Sequence, residues 1–214
     1  KVISLVLALV LIVSGMQVTG LAAQAAEADS AKQEYEIYPT PRDVSYGESE
    51  LVLGDTANVV VESTIDEATV NRLNEVLAIK NIQGTVSEKV VSGTTNILVG
   101  TNGSGGAAES WVKANVAYAE DLFDQRDAYV LSIRDNVIAI LGKDTDAAFY
   151  GLSTLKMIFN QTAEKNVREL KIEDYASGQY RGFIEGYYGI PWSVEDRISL
   201  MQFGGDFKMN IYIF

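Results

Sequence analysis

The sequence predicts an α+β domain that is followed by a βαβ unit. Between Glu34 and Tyr175, apolar and polar positions alternate in short stretches broken by Gly and Pro, and two segments have helical spacing. This pattern is typical of an antiparallel sheet with helices on one face. From Tyr180 to Phe214 a short strand, a helix and a second strand follow one another, which is the order of a right-handed, parallel βαβ unit.

The first residues have the pattern of a secretory signal peptide. Lys1 precedes a largely apolar run over residues 2–13, and Ala23-Gln24-Ala25 fits a small-residue cleavage site. The alternative, a membrane anchor, is disfavoured because this run is too short to cross about 30 Å of hydrocarbon. We expect a signal peptide over residues 1–25, a linker over 26–34 and no stable membrane span after cleavage. The protein would then be secreted from a bacterium or held at its surface.

The composition excludes several kinds of chemistry. The 214 residues have a net charge of −12, which argues against a nucleic acid partner because no basic stripe could meet a phosphate backbone. Cysteine and histidine are both absent, which excludes disulfides, thiol nucleophiles, Ser-His-Asp catalysis and thiolate or imidazole metal sites within this sequence. Carboxylates, Tyr, Lys and backbone amides remain for chemistry.

The first half of the domain begins with alternating residues 35–63, which predict short antiparallel strands. Residues 66–80 have helical spacing, with Asp66 as the N-cap. Residues 95–100 then read as a short buried strand. The Gly-rich stretch 101–106 could suggest phosphate binding, but it has neither the P-loop nor the dinucleotide fingerprint, so we interpret it as a plain flexible loop.

The second half of the domain begins with a hairpin. Residues 129–133 and 137–141 form its strands, and Arg134-Asp135-Asn136 forms its turn. A helix follows from about residue 146 to 160, capped by Asp144 or Thr145, and residues 167–175 return as a strand. In the βαβ unit, residues 180–186 and 208–214 are the strands, and Ser193 is the N-cap of the helix between them.

The passage RGFIEGYYGIPWSVEDR…KMNIYIF resembles the opening of the catalytic barrel in glycoside hydrolase family 84. These are β-N-acetylglucosaminidases that include bacterial hyaluronidase-like enzymes and the enzyme that removes O-linked GlcNAc from proteins. The matching positions are Arg181, Gly182, Glu185, Gly186, Tyr188, Gly189, Pro191, Trp192, Glu195, Asp196, Arg197, Asn210 and Tyr212. Tyr187 departs from the usual Phe, and Gly204-Gly205 replaces a bulkier pair, which should weaken that helix by about 1 kcal/mol per glycine.

The upstream passages YEIYPTPRDV and GKDTDAAFYGLSTLK resemble the domain that precedes the barrel in family 84 and in family 20 hexosaminidases. The resemblance implies a domain like family 20 domain 2 over residues 35–178 and the first βαβ unit of a truncated (β/α)8 TIM barrel over 179–214. Because such a barrel needs about 250 residues, we expect the chain to be a fragment. Neither a metal nor an organic cofactor is implied.

The resemblance also implies an activity: release of GlcNAc from glycans, glycoproteins or hyaluronan-like polymers. In family 84 the substrate's own 2-acetamido oxygen attacks the anomeric carbon with retention, assisted by two adjacent aspartates. No Asp-Asp pair occurs in this sequence. The resemblance therefore assigns no catalytic residue here, and we expect the pair beyond the C-terminus and the 214 residues alone to be inactive.

Gly186 is the one substrate-binding residue that the resemblance carries over. It matches the family glycine at the end of the first barrel strand, where a glycine lets the backbone approach a sugar closely. The alternative is that Gly186 only permits a tight turn. Glu185 could be a catalytic acid, but a structural carboxylate is favoured, because the family's acid lies elsewhere.

The remaining candidates have structural alternatives as well. The acidic pair Glu195-Asp196 is interpreted as the negatively charged first turn of a helix. Aromatic side chains near the strand end could stack on sugar rings or pack in the barrel loops; they are Tyr187, Tyr188 and Trp192. Two other functions stay open: a family 20 β-hexosaminidase, which would have an Asp-Glu pair downstream, and a non-catalytic carbohydrate-binding or adhesion module, which would have neither pair.

Overall fold

The computed structural model describes residues 34–162, 164–186 and 188–214. The expected signal peptide and all but the last residue of the expected linker lie outside these ranges. Residues Tyr35–Phe214 form one compact unit. No helix in the described part of the chain is long and apolar enough to span a membrane.

Strands and helices follow one another along the described residues in a fixed order: β1 (Asp43–Val52), β2 (Thr56–Val61), α1 (Glu67–Ile79), β3 (Gln83–Val86), β4 (Thr95–Thr101), α2 (Ala107–Asn115), a 3-10 turn (Leu122–Asp124), β5 (Tyr129–Arg134), β6 (Val137–Gly142), α3 (Thr145–Gln161), β7 (Asn166–Asp174), β8 (Gly182–Ile184), α4 (Val194–Asp206) and β9 (Ile211–Ile213). Strands β1 to β7 form one sheet in the order β1-β7-β5-β6-β4-β2-β3, and β8 pairs with β9.

The large sheet is mixed, so the expected antiparallel sheet was wrong for half of it. Strands β1, β7, β5 and β6 are antiparallel neighbours. Strands β6, β4, β2 and β3 are parallel neighbours. Helix α1 connects β2 to β3, and such a crossover returns the chain to the same end of the sheet, which makes the next strand parallel.

Helices cover both faces of this sheet, whereas one covered face was expected. Ile97 and Val99 of β4 belong to one apolar cluster, and Leu98 between them belongs to another, because successive strand residues point to opposite faces. Helices α1 and α3 pack in the first cluster. Helix α2, which the sequence analysis did not predict, packs Ala108 and Val112 in the second. The missed helix is the reason for the wrong prediction.

Three predicted features of the large domain are confirmed. The side chain of Asp66 accepts a hydrogen bond from the Thr69 amide at 2.8 Å, and Asp144 caps α3 in the same way. In the β5–β6 hairpin, Asp135 and Asn136 have φ angles of 49° and 60°. Left-handed geometry at both central positions is that of a type I′ turn, whose twist matches the strands.

The Gly-rich loop binds a carboxylate of the protein itself. The amides of Gly103 and Gly105, at φ angles of 87° and 72°, donate to Glu109 at 2.7 and 2.6 Å. Burial opposes ionisation of Glu109, but hydrogen bonds from Lys113 and from these two amides outweigh it and lower its pKa to about 2. These two donors are occupied, which argues against the phosphate-binding alternative.

The βαβ unit has the predicted form. Strands β8 and β9 are parallel, with Phe183 opposite Tyr212. A Cβ on Gly182 would overlap the carbonyl oxygen of Ile211, so a glycine is needed for the strands to approach this closely. Ser193 caps α4 as predicted, in a reciprocal capping box.

Candidate active site

The βαβ unit is anchored to the large domain by Lys208, which follows α4. Its ammonium donates to the Asp174 carboxylate at 2.8 Å and to the Tyr129 hydroxyl at 2.9 Å. The side chains of Lys208 and Asp174 are 7% and 10% exposed. Burial lowers the pKa of Lys208, and the carboxylate of Asp174 opposes this shift. The ion pair therefore joins the end of β7 to the segment between α4 and β9 inside the protein.

The end of α4 forms a second anchor. The Asp206 carboxylate accepts from the Lys156 ammonium at 2.7 and 2.9 Å and also pairs with Arg72. The hydroxyl of Ser153 donates to the Gly205 carbonyl at 3.1 Å. A Cβ on Gly205 would lie 3.2 Å from the Arg72 guanidinium, a close contact with the end of a flexible side chain. The expected weakening of α4 by this glycine stays a prediction.

Gly186 lies just beyond β8, at the C-terminal end of the strand, and is exposed. A Cβ there would meet only Tyr188 Cδ2 at 3.9 Å, which is an ordinary contact. Among the described residues of this loop, Gly189 has left-handed backbone geometry, at a φ of 115°. The alternative that Gly186 is needed for a tight turn thus has little support in the geometry, and its contact with a sugar stays a prediction.

Glu185, the residue before Gly186, is buried with its side chain 3% exposed. Its amide donates to the Ile213 carbonyl at 2.8 Å, which extends the β8–β9 pairing by one residue. Its carboxylate accepts from Arg197 Nε and Nη2 at 2.8 and 3.0 Å and from the Tyr212 hydroxyl at 2.5 Å. The Trp192 amide donates to the same group at 3.3 Å. One carboxylate therefore contacts the loop, the helix and the next strand.

These contacts decide what Glu185 can do chemically. Glu185 accepts hydrogen bonds from Arg197, which has the larger effect, and from Tyr212. These bonds lower the pKa of Glu185 to about 2. A carboxylic acid with such a pKa is ionised at neutral pH and has no proton to donate. The geometry fits the structural role favoured from the sequence and argues against a catalytic acid.

The other candidate residues lie around the same strand end. Tyr187 falls outside the described residues. Among the described residues, Tyr188 is fully exposed and Trp192 is 48% exposed, and both alternatives for these rings stay predictions. Glu195 is exposed, and Asp196 accepts from the Ser193 hydroxyl at 2.8 Å as part of the capping box. No group of acidic residues in the described ranges is arranged to hold a metal ion.

The sequence analysis missed the partners of Glu185. Arg197 and Tyr212 were noted only as matching positions, not as ligands of a carboxylate. A signal was available: Glu185 ends a strand, Arg197 lies one turn into the following helix, and Tyr212 lies in the next strand. A right-handed βαβ unit brings these positions to one side of the sheet.

Comparison with known families gives two matches that together cover most of the described chain. Residues 34–175 match the family described as glycosyl hydrolase family 20, domain 2. Residues 181–214 match the family described as beta-N-acetylglucosaminidase. The two matches meet at the short segment that leads from β7 to β8.

Solved structures agree with these matches. CpGH84D is 54% identical with a TM-score of 0.82, covering 84% of this chain and 30% of that chain. CpGH84B is 31% identical with a TM-score of 0.70, and the match covers 85% of this chain and 30% of that chain. A third structure is a family 20 exo-β-N-acetylglucosaminidase from Vibrio harveyi, which is 16% identical with a TM-score of 0.61. The match covers 82% of this chain and 24% of that chain and shows similarity of fold alone. The chain thus spans about 30% of the length of the first two relatives.

Proposed function

Since the chain belongs to the glycoside hydrolase family 84 β-N-acetylglucosaminidases, with the family 20 domain 2 followed by the start of the catalytic region, we propose that the whole protein hydrolyses β-linked N-acetylglucosaminides. The observation that carries this proposal is the 54% identity to CpGH84D over 84% of the chain. The substrates would be terminal GlcNAc residues of glycans, glycoproteins or hyaluronan-like polymers.

The site would include the strand end at Gly186. Active sites of (β/α)8 barrels lie at the C-terminal ends of the strands. Gly186 is exposed at that end of β8, and the space where a side chain would start is open. This supports a role in which its backbone approaches the sugar.

The chemistry would be substrate-assisted and would require neither a metal nor an organic cofactor. The 2-acetamido oxygen attacks the anomeric carbon, the leaving oxygen takes a proton from an aspartic acid, and water then opens the oxazoline with net retention. The aspartate pair would come from a part of the barrel outside these residues, because no Asp-Asp pair occurs among the 214. The apolar and small-residue pattern of residues 1–25 supports secretion or display at the cell surface.

A family 20 β-hexosaminidase would share the large domain but not the second match. The agreement of residues 181–214 with the beta-N-acetylglucosaminidase family favours the family 84 chemistry. A non-catalytic binding or adhesion module would bind GlcNAc-terminated glycans without turnover.

Hydrolysis of an aryl β-N-acetylglucosaminide by the protein with its complete barrel tests the proposal. Proton NMR of the first product should show the β-anomer, as retention requires. The matching aryl β-glucoside, which has no acetamido group, should not be cleaved. Absence of turnover would favour the binding module, and an inverted product would exclude the mechanism.

A further inference from the structure

The carboxylate of Glu185 links every part of the βαβ unit that surrounds Gly186. Arg197 reaches it from α4, Tyr212 from β9, and the Trp192 amide from the loop that begins at Gly186. The loop is therefore held at both ends: by backbone pairing of Glu185 with Ile213 and by the side chain of the same residue.

Little else in the described residues holds this loop. Tyr188 and Ile190 are almost fully exposed, and a Cβ on Gly186 or Gly189 would find at most one ordinary contact. None of the loop's described residues belongs to either apolar cluster. Within the described residues, the hydrogen bond from the Trp192 amide to Glu185 and the capped start of α4 hold its C-terminal end.

We propose that Glu185 is a positioning residue of the sugar pocket, fixing the backbone of the adjacent Gly186 and of Trp192 in the geometry that binds the sugar. This proposal rests on the proposed function. Glu185 acts through Gly186 and does not touch the substrate or exchange a proton with it. Bidentate pairing with Arg197 suits this task, since it fixes direction as well as distance.

Replacing Glu185 by Gln in the protein with its complete barrel tests the proposal. The amide NH2 of Gln would replace one carboxylate oxygen. In place of Oε1 it would face Arg197 Nη2 and the Trp192 amide, and in place of Oε2 it would face Arg197 Nε and the Tyr212 hydroxyl, so either orientation breaks the bidentate pair. Because misplacement of about 1 Å can cost about 100-fold, we expect kcat/KM for aryl β-N-acetylglucosaminides to fall about tenfold or more. Glu195→Gln is the matched control, since Glu195 is exposed on the first turn of α4, and it should leave kcat/KM unchanged.

The leaving group separates positioning from acid catalysis. A dinitrophenyl leaving group needs little protonation, whereas a phenyl leaving group needs much more. If Glu185 positions the pocket, Glu185→Gln lowers kcat/KM for both substrates by a similar factor and keeps the limbs of the pH profile. A loss concentrated on the phenyl substrate would overturn the proposal, as would unchanged kinetics in a folded variant.

Hydrogen exchange provides a readout that does not depend on activity. In the same protein, the amides of Gly186 and Trp192 should exchange faster in Glu185→Gln than in the wild type. Unchanged exchange would overturn the positioning role even if wild-type turnover is found. Inactivity of the wild type would instead refute the proposed function, and exchange would still decide the role of Glu185.

A milder variant covers the case in which Glu185→Gln fails to fold. Tyr212→Phe removes one donor to the carboxylate and keeps the pair with Arg197. Compared with Glu185→Gln, it should lower kcat/KM less, by a similar factor for both aryl substrates. Its amide hydrogen exchange should also rise less. Wild-type kinetics and exchange in this variant would contradict the proposal.

Discussion

The ammonium of Lys208 lies 2.8 Å from the carboxylate of Asp174, and both side chains are almost completely buried. Lys208 has left-handed backbone geometry, at a φ of 60°, and follows α4, whereas Asp174 ends β7. The pair joins the large domain to the βαβ unit in a place where neither charge has access to much water.

Lys208→Met should destabilise the protein strongly. Removing one partner of a buried ion pair leaves an uncompensated charge on Asp174, which typically costs about 3–5 kcal/mol of the free energy of unfolding. Urea unfolding of the variant measures this loss. The control is Lys89→Met, because Lys89 is exposed and should have almost no effect. Equal stability of the two variants would show that the pair contributes little.

Gly186→Ala should impair sugar binding while the fold stays intact. The added Cβ has room in the protein, so its effect should fall on the ligand. A tenfold loss in kcat/KM would correspond to about 1.4 kcal/mol. Gly178→Ala is the control, since its Cβ would also meet only one atom, the Tyr180 carbonyl oxygen at 3.8 Å. Kinetics like the wild type's in Gly186→Ala would remove this residue from the pocket.

Gly182→Ala should disrupt the β8–β9 pair. Its Cβ would overlap a backbone carbonyl, which cannot rotate away as a side chain can. Overpacking of this kind typically costs about 1–3 kcal/mol, so the melting temperature should drop clearly. Gly186→Ala, four positions along the chain, serves as the control with unchanged melting. Similar melting of both variants would show that the strands can separate at no cost.

Acid should destabilise the protein through Glu109. Its pKa is lowered from 4.5 to about 2 in the folded protein, so the unfolded state binds more protons between these values. The stabilisation is fully present above pH 4.5 and is lost as the pH falls towards 2. Glu109→Gln should be less stable at neutral pH and should lose less stability over this acid range. Thermal melts at several pH values check this, with exposed Glu88→Gln as control. Parallel stability curves for wild type and Glu109→Gln would contradict it.

Elements whose signals are local were predictable from the sequence. Asp66, Asp144 and Ser193 cap their helices with their own side chains, and each helix was found near its observed start. Helix α2 has Gly106 at its N-cap and no side-chain cap of its own. The amide of Glu109 is bound instead by Glu62, which lies far back in the sequence, so no local pattern could show this start.

Strand direction and the contacts of the site also depend on residues that are distant in the sequence, so local patterns could not show them. Alternation of apolar and polar residues is alike in parallel and antiparallel strands, so β2 was assigned the wrong direction. Strand β4, in contrast, is buried at every position, which is typical of parallel strands. Gly186 could be located by resemblance, but the cluster around Glu185 required residues from three elements to be placed together.

The contacts that anchor the βαβ unit have a consequence for the order of folding during synthesis. Arg72, Lys156 and Asp174 all precede the unit in the chain, so the ribosome releases them before α4 and β9. Domains generally fold as units, the N-terminal one first. The folded sheet domain can therefore bind α4 and the β8–β9 pair through these side chains as soon as they leave the ribosome.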